Sequence, residues 1–481
     1  MYIHALLLFI AVIPPAASVS ISQDPVPKGC RYVLRDQSWP SLSDWAHLNT
    51  SVDWQLIATV PLASVSHDPT YDEAACARMQ QSWAFSQTHI PDPASIVEPL
   101  AQNESCDPFT PRTSPCRLGN YAAYAINVSS PSRATAGLQF AREKNIRLVI
   151  KSTRHDLLGK SIGRGSLGLC VQNLHQVSFF TYNSSLYTGP PRKFSLGILA
   201  WGIYEAAALV GKRVLAGTCN TVSVAGGFSQ AGGHSLLSST YGLSADNVLE
   251  WEVVLPDSSL VVATPNQASD LYWALSGGGG STYAVVMSMT VKTFPESSIG
   301  IGGAAITYTN QGISEDTYWA SITAFRNHIP AWVAAGGVFL PLRPLTFPDK
   351  TPDEVNNLIA PFTTELDNLA ISFVLNITSF PNYLAHFNQY YRSFPSVNGG
   401  RLIPRSLITS NRTQDLVDVY RQITASGDFM MIGVCFVVSG PPVAPNGLNP
   451  YWRDTIVHNT IQSSWNFTAS WENKEVEMLA G

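Results

Sequence analysis

Two glycine-rich turns in the sequence each carry one side chain that can act as a nucleophile. The first lies in residues 147–169 (RLVIKSTRHDLLGKSIGRGSLGL) and contains His155; the second lies in 217–252 (GTCNTVSVAGGFSQAGGHSLLSSTYGLSADNVLEWE) and contains Cys219. Backbone N–H groups in such turns bind phosphate, and glycine permits the close approach and positive φ angles that this needs. The two segments therefore predict a phosphate-bearing cofactor, bound by backbone and attached by side chains.

Residues of both turns are candidates for cofactor contacts, although a glycine pair is by itself a weak signal. The alternative for His155 is a structural histidine that is hydrogen-bonded within its turn. The alternative for Cys219 is a free thiol beside a cofactor ring that is bound without a covalent link. The predicted cofactor-binding residues are Ser152, Thr153, Arg154, His155 and Asp156 in the first turn, and Cys219, Val222, Gly226, Gly227, Gly232, Gly233, His234, Asn247 and Val248 in the second region.

Composition excludes several classes of function. Charged residues make up 13% of the 481 residues, the net charge is −5, and no basic run stands out. This argues against nucleic acid as a partner. The ten histidines and the acidic residues show no HxxxH, HExxH or CxxC spacing, so no metal site is predicted.

The N-terminus predicts entry into the secretory pathway. Residues 5–13 are apolar and PPAAS follows, which indicates a signal peptide over 1–18 rather than an apolar first strand. No later run is long enough for a transmembrane helix. We therefore expect secretion or residence in the secretory lumen, with N-glycans at Asn-X-Ser/Thr sites. These sites are Asn49, Asn103, Asn127, Asn183, Asn376, Asn411 and Asn466.

Seven cysteines in an oxidising compartment leave at least one outside any disulfide. Cys106 and Cys116 flank a proline-rich segment and predict a local bridge, and Cys30–Cys76 is a candidate for a second. Cys435 lies in the apolar run MMIGVCFVV and predicts an inert core thiol.

Strand and helix patterns mix without a regular βαβ repeat, which predicts an α+β fold. The proline-rich segment 19–116 contains one helical stretch at 71–85. Strands and helices follow in 117–297, where the glycine clusters lie, and a new composition begins near Pro295. Strands are predicted at 304–308, 370–376 and 429–438, and helices at 315–328, 352–368 and 413–424.

An ordered set of motifs resembles a known flavoprotein family. It comprises SxxHD with LGKS after it, GTCNTVSVAGGFSQAGGHSLLSSTYGLSADNVLEWEVV, and DLYWALSGGGGSTYAVV. The chain is similar over about 30–465, most densely over 117–293, to berberine-bridge-enzyme-like FAD-linked oxidoreductases of the vanillyl-alcohol-oxidase (VAO) superfamily. Within this family it is closest in character to the fungal isoamyl-alcohol-oxidase-like and chanoclavine-synthase-type proteins.

The resemblance implies a two-part PCMH/VAO-type FAD-binding domain over 117–297, with the N-terminal segment packed on it. It also implies a substrate domain over 298–450, whose antiparallel sheet is flanked by helices. FAD would be covalent, through His155 to the flavin 8α-methyl group and possibly through Cys219 to C6. Val222 matches a position where the family places a gatekeeper for oxygen, and valine there is typical of oxidases.

The implied reaction is the two-electron oxidation of a small organic substrate by a monomeric enzyme, with dioxygen as the electron acceptor. An alkaloid or polyketide intermediate suits the apolar stretch 429–438. The catalytic base is not fixed; Tyr390 and Tyr391 are weak candidates. A carbohydrate or alcohol oxidase, or a catalytically silent secreted relative, are the alternatives.

The sequence departs from the family pattern in two ways. Arg154 stands where glycine is usual, so it is either strained by a positive φ or reaches a phosphate. Ser223, Ser276 and Ala284 also replace Gly, Arg and Gly. In addition, the C-terminal return segment is expected to be truncated at 451–481, as a short natural form, a wrong gene end or a decayed enzyme.

Overall fold

The computed structural model describes most of the chain. Described are residues 29–98, 101–102, 106–180, 182–183, 188–189, 191–195, 197–308, 312–340, 343–391, 397–438, 440–463, 469 and 473. The predicted signal peptide 1–18 and the glycosylation sites Asn103 and Asn466 lie outside these residues. Within them, no helix has the length and apolar character needed to cross a membrane.

A mostly parallel four-stranded sheet forms the first part of the fold, in the order β1-β2-β4-β3, and β1 is its antiparallel edge. All four residues of β4 are buried. A Cβ added at Gly137 would lie 2.6 Å from Leu169, so glycine lets helix α4 pack directly on β4. The elements are β1 (Leu56–Ala58), β2 (Tyr124–Asn127), α4 (Pro131–Glu143), β3 (Leu148–Lys151) and β4 (Leu167–Cys170).

The described part of the N-terminal segment contains the helices α1 (Leu42–Ser51), α2 (Glu73–Ser82) and α3 (Ser86–His89), and Trp45 and Leu48 of α1 join the core of this sheet. A capping box between Ser41 and Asp44 begins α1. The disulfide Cys106–Cys116 is confirmed. The predicted Cys30–Cys76 bridge is wrong: Cys30 is an exposed free thiol, whereas Cys76 is a buried free thiol on α2.

An antiparallel five-stranded sheet follows, in the order β11-β10-β12-β8-β5. The first seven residues of its central strand β12 are buried, so both faces of the sheet are covered there. The elements of this part of the chain are β5 (Val177–Phe179), β6 (Tyr182–Asn183), β7 (Thr188–Gly189), β8 (Pro191–Ser195), α5 (Ala200–Ala208), β9 (Lys212–Arg213), α6 (Ser238–Tyr241), β10 (Val248–Val254), β11 (Leu260–Ala263), α7 (Ser269–Leu275), β12 (Val285–Lys292) and β13 (Phe294–Pro295). Of these, β6 and β7 form one separate pair of strands, and β9 and β13 form another.

Two three-stranded antiparallel sheets and five helices form the remaining part, with strand orders β15-β14-β16 and β17-β19-β18. The elements are β14 (Ile301–Thr307), α8 (Glu315–Ala334), β15 (Leu345–Pro348), α9 (Pro352–Asn368), β16 (Val374–Phe380), α10 (Tyr383–Tyr390), β17 (Val397–Pro404), α11 (Arg405–Thr409), α12 (Thr413–Thr424), β18 (Phe429–Cys435) and β19 (Thr455–Ser463). The expected substrate domain thus has its antiparallel sheet flanked by helices.

Strand β19 lies in the predicted C-terminal segment 451–481. It is the central strand of its sheet, paired with β17 on one side and β18 on the other. Residues of this segment therefore share a sheet with residues of the expected substrate domain. The domain limits stay predictions.

Strand β18 separates two cores. Val434 and Phe436 join the hydrophobic core of the first two sheets, whereas Cys435 joins the core under helices α8, α9 and α12. This follows from the alternation of side chains along a strand. Burial raises the pKa of the Cys435 thiol to about 11, which agrees with the inert core thiol predicted from the sequence.

Candidate functional site

The first predicted turn begins where β3 ends at Lys151. Arg154 has φ +76°, in the left-handed region that disfavours side chains, which costs on the order of 1–3 kcal/mol. The positive φ expected at this position is therefore present. The hydroxyl of Thr153 accepts a hydrogen bond from the backbone N–H of Ser223 at 2.9 Å, and this bond joins the first turn to the second.

The side chain of Arg154 does not reach toward a phosphate, and this part of the prediction is corrected. The side chain is 2% exposed and donates to the carbonyl of Ser95 and, at 2.7 Å, to that of Ile90. Asp92 lies 3.9 Å from the guanidinium. These partners belong to the N-terminal segment, so Arg154 fastens that segment behind the turn. The buried Nε of Arg154 has no hydrogen-bond partner among the described residues.

The two predicted nucleophiles lie together. The Sγ of Cys219 is 3.8 Å from Nε2 of His155, and Thr221 contacts both, at 2.8 Å from His155 and 3.5 Å from Cys219. Burial by itself raises the pKa of the Cys219 thiol, but the hydrogen bond and charge of His155, together with Thr221, lower the pKa to about 6. A thiolate at neutral pH is the nucleophilic form of cysteine.

This shift predicts a pH profile for alkylation of Cys219. In protein produced without flavin, the rate of reaction with iodoacetamide should reach half its maximum near pH 6, where an ordinary thiol does so near about 8.5. Because the pKa is lowered, the reactive form is present above pH 6 and is lost below it. Peptide mass spectrometry would follow the Cys219 peptide alone.

The variant His155→Gln is the control, because it removes the imidazole that lowers the pKa of the Cys219 thiol. Its midpoint should move toward that of an ordinary thiol. An unchanged midpoint would contradict the coupling between the two residues.

Several glycines of the second region have backbone angles or close contacts that disfavour a side chain. A π-helical turn at Val224–Phe228 contains Gly226 and Gly227, and a Cβ added at Gly280 would lie 3.0 Å from Cα of Gly227. Gly232 and Gly233 have φ +116° and +75°. A Cβ at Gly233 would approach Phe228 to 2.7 Å, so both the backbone angle and the space require glycine there.

Comparison with known proteins agrees with the flavoprotein resemblance of the sequence. The chain is 40% identical over 452 residues to FAD-linked oxidoreductase patO of Aspergillus clavatus, covering 91% of this chain and 78% of that protein. It is 39% identical to VAO-type flavoprotein oxidase VAO615 of Thermothelomyces thermophilus, covering 97% and 84%. The chain belongs to the VAO-type FAD-linked oxidoreductases. No protein-family model matches it.

Solved structures of VAO-type flavoproteins have the same fold. The crystal structure of VAO-type flavoprotein MtVAO615 from Myceliophthora thermophila C1 aligns with TM-score 0.89 and 38% identity, over 93% of this chain and 85% of that chain. Berberine bridge enzyme aligns with TM-score 0.63 at 14% identity, and a carbohydrate oxidase from Microdochium nivale with 0.58 at 19%. These last two likenesses concern the fold alone. The chain is an FAD-dependent oxidoreductase.

The described residues of this VAO-type oxidoreductase fit FAD. The Oγ of Ser152, in the first turn, is buried and has no hydrogen-bond partner among the residues that the structure describes. This hydroxyl can therefore bind a cofactor oxygen without first breaking another hydrogen bond. In the second region, a Cβ added at Gly227 would have no neighbour within 4 Å. An orphaned hydroxyl and an open backbone wall are the features expected of a pyrophosphate site.

The remaining predicted residues have structural partners. Asp156 accepts from the backbone N–H and the hydroxyl of Ser161, both at 2.6 Å, and so closes the first turn. The Val222 carbonyl accepts from Ala200, and the Asn247 amide donates to the carbonyls of Tyr241 and Leu243. Their contacts with the cofactor stay predictions. Val248 is fully buried at the start of β10. The hydroxyls of Tyr390 and Tyr391 lie 3.2 Å and 3.4 Å from those of Thr378 and Thr346, respectively, and their role as a base stays a prediction.

Two histidines, His234 of the predicted FAD-binding domain and His458 of β19, lie close together. His234, predicted as a cofactor residue, stacks on Phe436 at 5.5 Å, and the ring of His458 on β19 lies 5.8 Å from it. Burial lowers the pKa of both imidazoles, so each is neutral at pH 7, and His458 lowers that of His234 further, to about 3. The Nδ1 of His458 has no hydrogen-bond partner among the described residues. Sequence reasoning missed His458, because its strand was assigned to the C-terminal segment.

No group of three or more His, Cys, Asp or Glu side chains that could hold a metal ion occurs within the described ranges.

Proposed function

We propose that this enzyme is an oxidase whose FAD is covalently attached through His155 and Cys219. The observation that carries the proposal is the cluster of His155, Thr221 and Cys219, in which a low-pKa thiol lies 3.8 Å from an imidazole. Both side chains are nucleophiles, and Thr153 joins their turns. Bonds from two directions would fix the ring system, and such attachment is a means by which proteins tune a flavin.

FAD supplies, when bound, an acceptor for the hydride of an oxidised C–H bond. A base must then take the proton of the substrate's hydroxyl or amine, and this base should be neutral, buried and close to the FAD-binding domain. His458 meets these conditions: its Nδ1 is unpaired among the described residues, and burial lowers its pKa. A Cβ at Gly400 would lie 3.0 Å from Nε2 of His458, so glycine on β17 leaves room for this ring.

The variant His458→Gln should retain its flavin but lose turnover. General acid–base catalysis contributes about 10²- to 10⁴-fold, so kcat should fall by that factor with an apolar alcohol that the wild type oxidises. His328→Gln, a change on α8 at a ring paired with Glu365, is the matched control and should keep kcat. Equal activity of the two variants would rule His458 out as the base.

The oxidase assignment rests on Val222 and on the name of VAO615. Val222 follows Cys219 by three residues, and its N–H donates to the Cys219 carbonyl at 3.3 Å, so it lies beside the proposed attachment point. A screen of apolar alcohols under air would test the assignment. Peroxide equal to the product supports an oxidase; flavin that is reduced by substrate but persists reduced in air contradicts it.

The proposed substrate is an apolar biosynthetic intermediate of secondary metabolism. Strand β18 is apolar and places Val434 in the first core, and such a surface favours an apolar molecule over a sugar. Relatives include patO and the bifunctional decalin synthase calF of Penicillium decumbens, which is 38% identical over 97% of this chain. Oxidation of glucose faster than of any apolar alcohol would favour the carbohydrate-oxidase alternative.

We also propose that the protein is secreted and N-glycosylated. Asn376 and Asn411 are exposed, whereas the Asn127 amide donates to Gln55 at 2.9 Å and accepts from Asn173 at 2.6 Å. Glycans are therefore expected at Asn376 and Asn411 before Asn127. A mass unchanged by glycosidase treatment of the secreted protein would refute this.

A further inference from the structure

A cavity of about 820 Å³ lies inside the substrate domain, between β14, β18, α8 and α12. Its size is in the range of small-molecule sites. Its wall is mostly apolar and aromatic, and includes Tyr318, Trp319, Phe325, Leu340, Met431 and Ile432. None of the residues assigned above to the cofactor lines it, so it is a place separate from the two turns.

One wall residue of this cavity, Arg326 on α8, is a buried cation, and two of its three guanidinium nitrogens lack a hydrogen-bond partner among the described residues. Its side chain is 8% exposed, and neither Nε nor Nη1 has a hydrogen-bond acceptor among the residues that the structure describes. Its guanidinium lies 4.8 Å from the ring centre of Tyr420, which supports the cation from one face only. A buried charge with unsatisfied donors destabilises a fold unless something else binds it.

The charges around the cavity have one sign. Arg326 and Arg343 both line it, and no Asp or Glu does so among the described residues. Tyr420 is already bonded, because its hydroxyl accepts from the Asn459 amide. The cavity therefore has unpaired donors at Arg326 that can bind an anion. Its large aromatic wall can pack against an apolar group.

We propose that this cavity binds an organic carboxylate with an aromatic or aliphatic body. The carboxylate accepts hydrogen bonds from Nε and Nη1 of Arg326, and the body packs on the wall formed by Trp319, Phe325 and Met431. Hydrogen bonds between charged groups in a buried place are stronger than neutral ones. The inference does not depend on a covalent flavin or on oxidase activity, because it concerns different residues.

Isothermal titration calorimetry on the flavin-containing protein tests this, with 2-naphthoate as the probe and neutral 2-naphthylmethanol as its partner of similar shape. The wild type should bind naphthoate more tightly than the alcohol. In Arg326→Met, affinity for naphthoate should fall by about 10- to 100-fold, the range for one charged hydrogen-bonded contact, and the two probes should become alike. Arg412→Met, at an exposed arginine paired with Asp415, is the matched control and should bind as the wild type does.

A second variant locates the binding and guards against misfolding. Ile322→Trp adds a ring inside the cavity without touching the charge, and should abolish binding of both probes. Melting temperatures and flavin absorbance show whether each variant is folded; Arg326→Met should melt no lower than the wild type, because it removes an unpaired buried charge. The proposal is overturned if the wild type binds neither probe or if Arg326→Met binds naphthoate with unchanged affinity. It is also overturned if Ile322→Trp binds naphthoate with unchanged affinity.

Discussion

The double variant His155→Ala/Cys219→Ala is expected to release all of its flavin into the supernatant on acid precipitation, whereas each single variant keeps its flavin in the pellet. The reason is that the two side chains lie 3.8 Å apart and either can attach the cofactor alone. Each single variant should also have a lower flavin potential, because one substituent on the ring is lost. For a two-electron couple, a fall of about 30 mV in the flavin reduction potential lowers the equilibrium constant of flavin reduction about tenfold.

Cys30→Ser is the matched control, because Cys30 is an exposed free thiol far from the two turns in sequence. It should keep both the acid-stable colour and the potential of the wild type. Release of flavin from the single His155→Ala variant would show that Cys219 forms no bond, and the attachment would then be through His155 alone.

Asp246→Ala is expected to lower the free energy of unfolding by about 1–3 kcal/mol, because it leaves the donors that Asp246 binds without an acceptor, while Arg453, whose side chain is 34% exposed, stays solvated. Asp246 is 3% exposed and accepts two bonds from Arg453, at 2.6 and 2.9 Å. It also accepts from the Asn446 amide at 2.8 Å and from the backbone N–H of Leu243 at 3.0 Å. These bonds hold the segment that leads into β19, and so place His458 beside His234.

The measurement is urea unfolding of the flavin-containing protein. Asp415→Ala is the control: its partner is Arg412, both side chains are more than 60% exposed, and such a pair contributes about 0–1 kcal/mol. A loss of less than 1 kcal/mol in Asp246→Ala would mean that the four contacts are not needed to join the two halves. Activity should fall along with stability, since His458 would lose its fixed position.

Local patterns predicted much of the fold. The helix predicted at 352–368 is confirmed as α9, which begins with a capping box between Thr351 and Glu354. Helix α8 was predicted to stop at 328 but continues through Pro330 to Ala334. Burial of Ile329, Trp332 and Val333 offsets the hydrogen bond that proline removes.

Long-range contacts could not be read from the sequence. The role of β19 depends on pairing with two strands distant in the chain, and the predicted strand at 370–376 is instead β16, at Val374–Phe380. The direction of Arg154 depends on carbonyls of the N-terminal segment some sixty residues earlier, which no local motif shows. The candidates His155 and Cys219 were found because each lies in a distinctive turn; their proximity required the structure.

Peptide mass spectrometry of the denatured wild-type protein tests the central claim most directly. After protease digestion, the peptides containing His155 and Cys219 should elute together, joined through one flavin, and neither should be found unmodified. Free FAD with both peptides unmodified would contradict the covalent attachment that the 3.8 Å approach of the thiol and the imidazole supports.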